Sequence, residues 1–202
     1  MPLKAYDTTL LLLLLPWAAC QPNPSNKANS QLAVDVSYGS PVVDGSGADA
    51  IWDTARWYSI SELWEGTPVK PADFQGRYKI AWDENNLYLL VEIDDDTLTE
   101  NTTPDAENPR QADCLIVFLD EDASGGDHTL NHNAFAYHLL LDGRVRNNTS
   151  DGTWQTFDDH CWVRRITRNN TSTWEIRCEC TTASSTGQTL RTSLNCSKPA
   201  RK

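Results

Sequence analysis

The sequence predicts an all-β, antiparallel, jelly-roll-like β-sandwich over residues 34–176, and three observations carry that expectation. Arg77 to Ala81 and Leu87 to Ile93 are rich in β-branched and aromatic residues, and the Asp83-Glu84-Asn85-Asn86 stretch between them has turn composition. That order reads as strand, tight turn, strand. Leu115 to Leu119 is a nearly continuous apolar run, as in a strand buried on both faces, and Ala134 to Leu141 alternates well enough to be its neighbour. Ser172-Thr173-Trp174-Glu175-Ile176 reads as a further strand.

At the N-terminus, Lys4 gives a weakly positive start, Leu10 to Leu15 form a short apolar run, and Pro16-Trp17-Ala18-Ala19 leads into Cys20. The run is too short to span a bilayer and reads as an export signal over residues 1–20. Small residues before a cysteine resemble the cleavage box of bacterial lipoproteins, in which the cysteine, here Cys20, becomes the lipidated first residue. An ordinary secretory signal is the rival. Residues 21–33, QPNPSNKANSQLA, form a polar, Pro-spaced tether. The implied location is the bacterial cell envelope, lipid-anchored, or the exterior. Beyond Ile176, residues 177–202 lack alternation and aromatic side chains and turn basic, so they read as a divergent, disordered tail, which leaves the closing strands of the sandwich in question.

The loop after Leu119 carries the clearest ligand-like spacing. Asp120, Asp122 and Ser124 fall at alternate positions before Gly125-Gly126, as in the opening of oxygen-rich calcium loops. Asn131 stands where such a loop has its bidentate Glu, so a structural calcium and a charged turn are the contenders. His128, His132 and His138 cluster nearby and read as hydrogen-bonded surface or edge histidines rather than zinc ligands. Asp94-Asp95-Asp96 requires either a cation or solvation. Among the cysteines, Cys114 reads as a buried small hydrophobe, Cys178 and Cys180 share a strand face, and no clean disulfide framework follows.

Composition narrows the function. A net charge of −11 repels nucleic-acid phosphates and anionic membrane and suits neutral ligands or cations. Eight Trp against one Met favours sandwich packing and stacking on apolar sugar faces. Carboxylates are abundant, yet no pair is singled out for acid–base work, and no nucleophile elbow, phosphate loop or metalloprotease helix is present.

The phrases Pro41-Val42-Val43-Asp44-Gly45, Ile51-Trp52-Asp53, Trp82 to Ile93 and Ala112 to Asp122 together resemble the family 9 carbohydrate-binding modules. The resemblance implies a calcium-stabilised, non-catalytic sandwich that binds polysaccharide or oligosaccharide. It places a stacking Trp in a Pro-Trp-x-x-Asp phrase. Here that phrase is Pro109-Arg110-Gln111-Ala112-Asp113, so Arg110 stands in the stacking position, and Ile116 replaces an acidic residue in the strand that follows. A second stacking Trp belongs near the C-terminus, where this chain has none. Trp64, in a polar stretch, joins Arg110 and Asp113 as the sugar-contacting candidates, while Trp52, Trp82 and Trp174 are expected in the core. The reading is a non-catalytic module on an exported lipoprotein linked to carbohydrate catabolism. Rivals are an interaction domain without sugar affinity, an accessory domain of a glycoside hydrolase system, and a haem- or redox-associated sandwich using His or Lys ligands.

Overall fold

The computed structural model describes residues 34–62, 67–100, 108–120, 134–148 and 151–180, and the backbone of 191–197. Val34–Lys202 form one compact unit. In chain order the elements are β1 (Ser37–Tyr38), α1 (Ala50–Thr54), β2 (Tyr58–Ser59), β3 (Phe74–Trp82), β4 (Asn86–Asp95), a 3-10 turn (Pro109–Gln111), β5 (Cys114–Asp120), β6 (Ala134–Leu140), β7 (Val145–Asn148), β8 (Trp154–Thr156), β9 (Cys161–Arg168), β10 (Thr171–Glu179) and β11 (Arg191–Ser197). They form two sheets, one ordered β1-β3-β4-β10-β9 with β2 on β3, the other β11-β5-β6-β7-β8. Pairing is antiparallel apart from β1 on β3. No helix among the described residues is long and apolar enough to cross a membrane.

The predicted hairpin is β3–β4, in register from Phe74↔Asp95 to Trp82↔Leu87. Asp83 builds its turn: Oδ1 accepts from the Asn85 and Asn86 amides at 2.9 and 2.8 Å, and Oδ2 from the Tyr88 hydroxyl at 2.6 Å. Burial pushes the Asp83 carboxyl up, but these donors outweigh it and hold the group well below the usual carboxylate range. The β9–β10 turn uses Asn169 at φ 55, a left-handed position that Asn tolerates better than most residues.

Strand alternation divides the apolar residues into layers. Leu87, Leu89, Val91 and Ile93 of β4 meet Leu115, Val117 and Leu119 of β5 in the inter-sheet core, together with Tyr137, Leu139, Trp174 and Ile176. Cys114, Ile116 and Phe118 project from the opposite face of β5 into a second buried cluster with Ala136 and Leu140. This explains the continuous apolar run: β5 is buried along its whole length.

A third cluster lies on the outer face of the first sheet, where Trp52 of α1 packs with Ala55, Ala81, Tyr88 and Leu90. Glu175, in the middle of β10 and 1% exposed, anchors it. Its carboxylate accepts from Trp52 Nε1 at 3.0 Å and from the Gly45 and Asp44 amides at 2.7 and 3.1 Å. Gly45 has φ +86, and a Cβ there would sit 3.3 Å from the Arg164 backbone, so the turn admits only glycine without strain. The Pro-Val-Val-Asp-Gly phrase and the Trp of Ile-Trp-Asp are therefore held by one buried acid. Lys79 Nζ donates to the Trp52 carbonyl, and the Lys79 and Arg77 cations lie over the Trp57 ring.

Several expectations change. Trp52 and Trp174 are core residues, but Trp82 is 43% exposed and packs edge-on against Tyr38. It lies opposite Leu87 on the core-facing side, at the last position of β3. Within the Asp run, Asp94 accepts from the Thr171 hydroxyl at 2.5 Å and Asp95 from the Thr97 amide at 2.9 Å, while Asp94 and Asp96 are exposed. Order does not end at Ile176. β10 continues to Glu179, and within the stretch whose composition reads as disordered, β11 pairs with β5 along the edge that would otherwise be unpaired.

Candidate functional site

Of the residues that the sequence places in a sugar site, Arg110 and Asp113 belong to the segment that leads into β5. Asn108 Oδ1 accepts from the Arg110 amide at 2.9 Å, and the fixed φ of Pro109 starts the 3-10 turn. The turn lies against β6 and carries Arg110 on an exposed position.

From there a row of side chains crosses the second sheet, because the register aligns Ile116, His138, Arg146 and Thr156 on β5, β6, β7 and β8. Alternation directs this row away from the inter-sheet core, on the side of the Cys114, Ile116 and Phe118 cluster. His138 is 5% exposed, and its Nδ1 lies 2.8 Å from the Ala136 carbonyl. A carbonyl can only accept, so Nδ1 carries the proton and Nε2 is the acceptor of the neutral ring. Its ring stands edge-on to Trp154 with centroids 4.8 Å apart, and Arg146 Nη2 donates to the Trp154 carbonyl at 3.1 Å. Burial lowers the His138 pKa to about 4; its bond to Ala136 opposes this, and the Arg110 charge reinforces it. An indole borders a neutral imidazole, with Arg146 tied to that indole's backbone and the Arg110 charge within electrostatic reach, on a chain of net charge −11. Such a set offers hydrogen-bond donors to hydroxyls, planar surfaces for a ring, and cations for a carboxylate.

The predicted residues divide as follows. Arg110 belongs to this patch, and Ile116 is in its floor. Asp113 is 7% exposed; it accepts from the Thr99 amide at 2.7 Å and ties that loop to β5. The cleft beside it, lined by Glu100, Asp113, Leu140, Asp142 and Arg144, measures about 30 Å³, room for water rather than a sugar ring. Trp64 lies outside the described residues, as do Asp122, Ser124 and Cys20. Asp120 is buried at the end of β5, opposite Ala134 and Arg191. Among the described residues no group of three or more His, Cys, Asp or Glu is placed to hold a metal ion.

His138 is neither at the surface nor on an edge strand, since β6 runs between β5 and β7. Its shared parity with Ala136 and Leu140 carries that information in the sequence. Trp154 gives no comparable signal, because β8 is three residues long and has no period to read.

Residues 43–196 match the profile of a family described as carbohydrate family 9 binding domain-like. Among similar proteins, endo-1,4-beta-xylanase A of Thermotoga neapolitana is 32% identical over 95 residues, 47% of this chain and 8% of the xylanase. Exoglucanase XynX of Acetivibrio thermocellus is 29% identical over 112 residues, 55% of this chain and 9% of the exoglucanase. The chain therefore spans under a tenth of the length of these relatives. Among solved structures, a family 9 carbohydrate binding module of Caldicellulosiruptor kristjanssonii in complex with cellotriose superposes with a TM-score of 0.58 at 23% identity, covering 80% of this chain and 74% of that one. Its complex with glucose gives 0.57 at 20% identity, covering 81% and 77%.

Proposed function

This chain belongs to the carbohydrate family 9 binding domain-like family, and on that premise we propose that it recognises a polysaccharide or oligosaccharide through the Arg110 side of its second sheet, on an exported lipoprotein that serves carbohydrate breakdown. It is a binding module rather than a catalyst. The observation that carries the reading is the family match over residues 43–196, supported by a patch of Arg110, Arg146 and Trp154 in which Arg110 stands in the phrase that resembles the family's stacking phrase. The solved relatives were determined with cellotriose and glucose, which makes gluco-oligosaccharides the first ligands to try. Arg110 in the stacking position adds acidic sugars, since a guanidinium pairs with a carboxylate in a planar fork. A glycan-array screen of the chain from Gln21 onward tests this. Binding to glucose- or uronate-bearing glycans supports it; a blank array would favour the interaction-domain reading, for which the loss of an acidic acceptor at Ile116 already speaks.

Attachment rests on Cys20 and the polar tether after it. Cys20→Ala is expected to move the protein from the detergent phase to the aqueous phase, because a lipid-anchored chain without its acyl groups has nothing to hold it at the bilayer. Unchanged partitioning would count against the lipoprotein reading. The surface charge argues against nucleic acid and against direct membrane contact.

A structural calcium is proposed at the loop that Asp120 begins, on the spacing of Asp120, Asp122 and Ser124. Chelation is then expected to lower the melting temperature, since a ligand present at 100 times its Kd stabilises by about 2.7 kcal/mol. An identical melting curve in chelator and in added calcium would leave the loop a charged turn.

A further inference from the structure

We propose that Cys161 and Cys178 form a cross-strand disulfide that clasps β9 to β10. The register sets them directly opposite each other, and their sulfurs lie 3.1 Å apart, inside the contact distance of two unbonded sulfur atoms. Both are fully buried in the inter-sheet core. The hydrogen bonding fixes the kind of pair. Glu179 N donates to the His160 carbonyl at 2.8 Å, which makes residues 160 and 179 a hydrogen-bonded pair. Pairs alternate along an antiparallel ladder, so 161 and 178 are a non-hydrogen-bonded pair, in line with Cys161 N donating to the Phe157 carbonyl instead. In such pairs the Cα atoms stand about 4.5 Å apart and the side chains approach most closely, within the range a disulfide spans.

The other cysteines whose side chains are described, Cys114 and Cys180, do not compete. Cys114 lies in the cluster on the far side of β5. Cys180 is on the same face as Cys178 but two residues further along β10, with its sulfur 3.9 Å from the Cys178 carbonyl. Oxidation removes two protons and two electrons from the thiol pair; a small-molecule disulfide such as oxidised glutathione accepts them and leaves as two thiols. Exchange needs an accessible thiolate, and these sulfurs are buried once the strands have zipped. The bond therefore forms during folding.

The test is to refold the full chain in a glutathione redox couple, alkylate the remaining thiols, cleave after Arg177 and Glu179 to separate Cys178 from Cys180, and map the linked peptides. A Cys161–Cys178 link is expected. The oxidised protein should melt about 5–10 °C above protein unfolded and refolded in dithiothreitol, as for a crosslink between positions 17 residues apart. That difference should vanish in the Cys161→Ala/Cys178→Ala double variant and persist in Cys180→Ala. Recovery of both cysteines alkylated after oxidative refolding, or either one linked elsewhere, would overturn the proposal. The measurement depends on neither export nor sugar binding.

Discussion

Glu175→Ala is expected to destabilise the protein by about 3–5 kcal/mol, because it strands two buried donors and a part-buried one at once. The Trp52 indole and the Gly45 and Asp44 amides all end on this carboxylate. Each buried donor left without an acceptor costs about 1–3 kcal/mol, and the loss is not offset by solvent at a site 1% exposed. The deletion also frees α1 and the turn before it, so Trp52 would lose its orientation on the outer face of the first sheet. Glu175→Gln should fall between the two, since its amide oxygen can still accept while its NH2 faces other donors. Urea unfolding followed by tryptophan fluorescence measures both. A loss under 1 kcal/mol for the Ala variant would mean that apolar packing, not the acid, holds the N-terminal segment.

The second large effect is a pH dependence set by His138. Its pKa in the fold is lowered from 6.5 to about 4, chiefly by burial. The unfolded chain therefore takes up a proton that the folded chain refuses. Above pH 6.5 the contribution to stability is fully present; it is lost as pH falls from 6.5 to about 4, and below that no more is lost. The total is on the order of 3 kcal/mol. The Arg110 charge opposes a charged imidazole in the same direction. Glu175 works the other way: burial raises its carboxyl despite the three N–H donors, so the fold gains stability on acidification there. Asp83, lowered, enters below the ordinary carboxylate value of 3.8. The diagnostic quantity is therefore the difference between wild type and His138→Asn, whose amide can still donate to the Ala136 carbonyl without titrating. Wild type should lose stability relative to the variant across this window, and parallel curves would contradict a buried neutral His138.

How much of this was legible in the sequence follows from the range of each signal. The β3–β4 hairpin and β5 were readable because turn chemistry and an unbroken apolar run are local. Trp82 misled for the same reason: its neighbours are apolar, but burial depends on where the strand ends relative to the sheet across from it. Glu175 has partners 123 to 131 residues away, and nothing nearby distinguishes it from a surface acid. The opposition of Cys161 and Cys178 exists only once the two-residue turn at Asn169-Asn170 fixes the register. β11 was hidden by composition: a weakly patterned stretch gains its ladder from the exposed edge of β5 rather than from its own propensity. Within the candidate site, the family phrase led to Arg110, while His138 and Trp154 entered only through the pairing of β6, β7 and β8.

The most direct test of sugar recognition through Arg110 is a calorimetric titration of cello-oligosaccharide, and of a uronate-bearing oligosaccharide, into the chain from Gln21 onward and into its Arg110→Ala variant. The expected result is saturable heat with one of these ligands for the parent chain, weakened by about 1 kcal/mol, roughly five-fold in Kd, in the variant, with its melting temperature unchanged. Trp64→Ala should weaken it similarly. No heat with either ligand, or the same affinity in the Arg110→Ala variant, would contradict it.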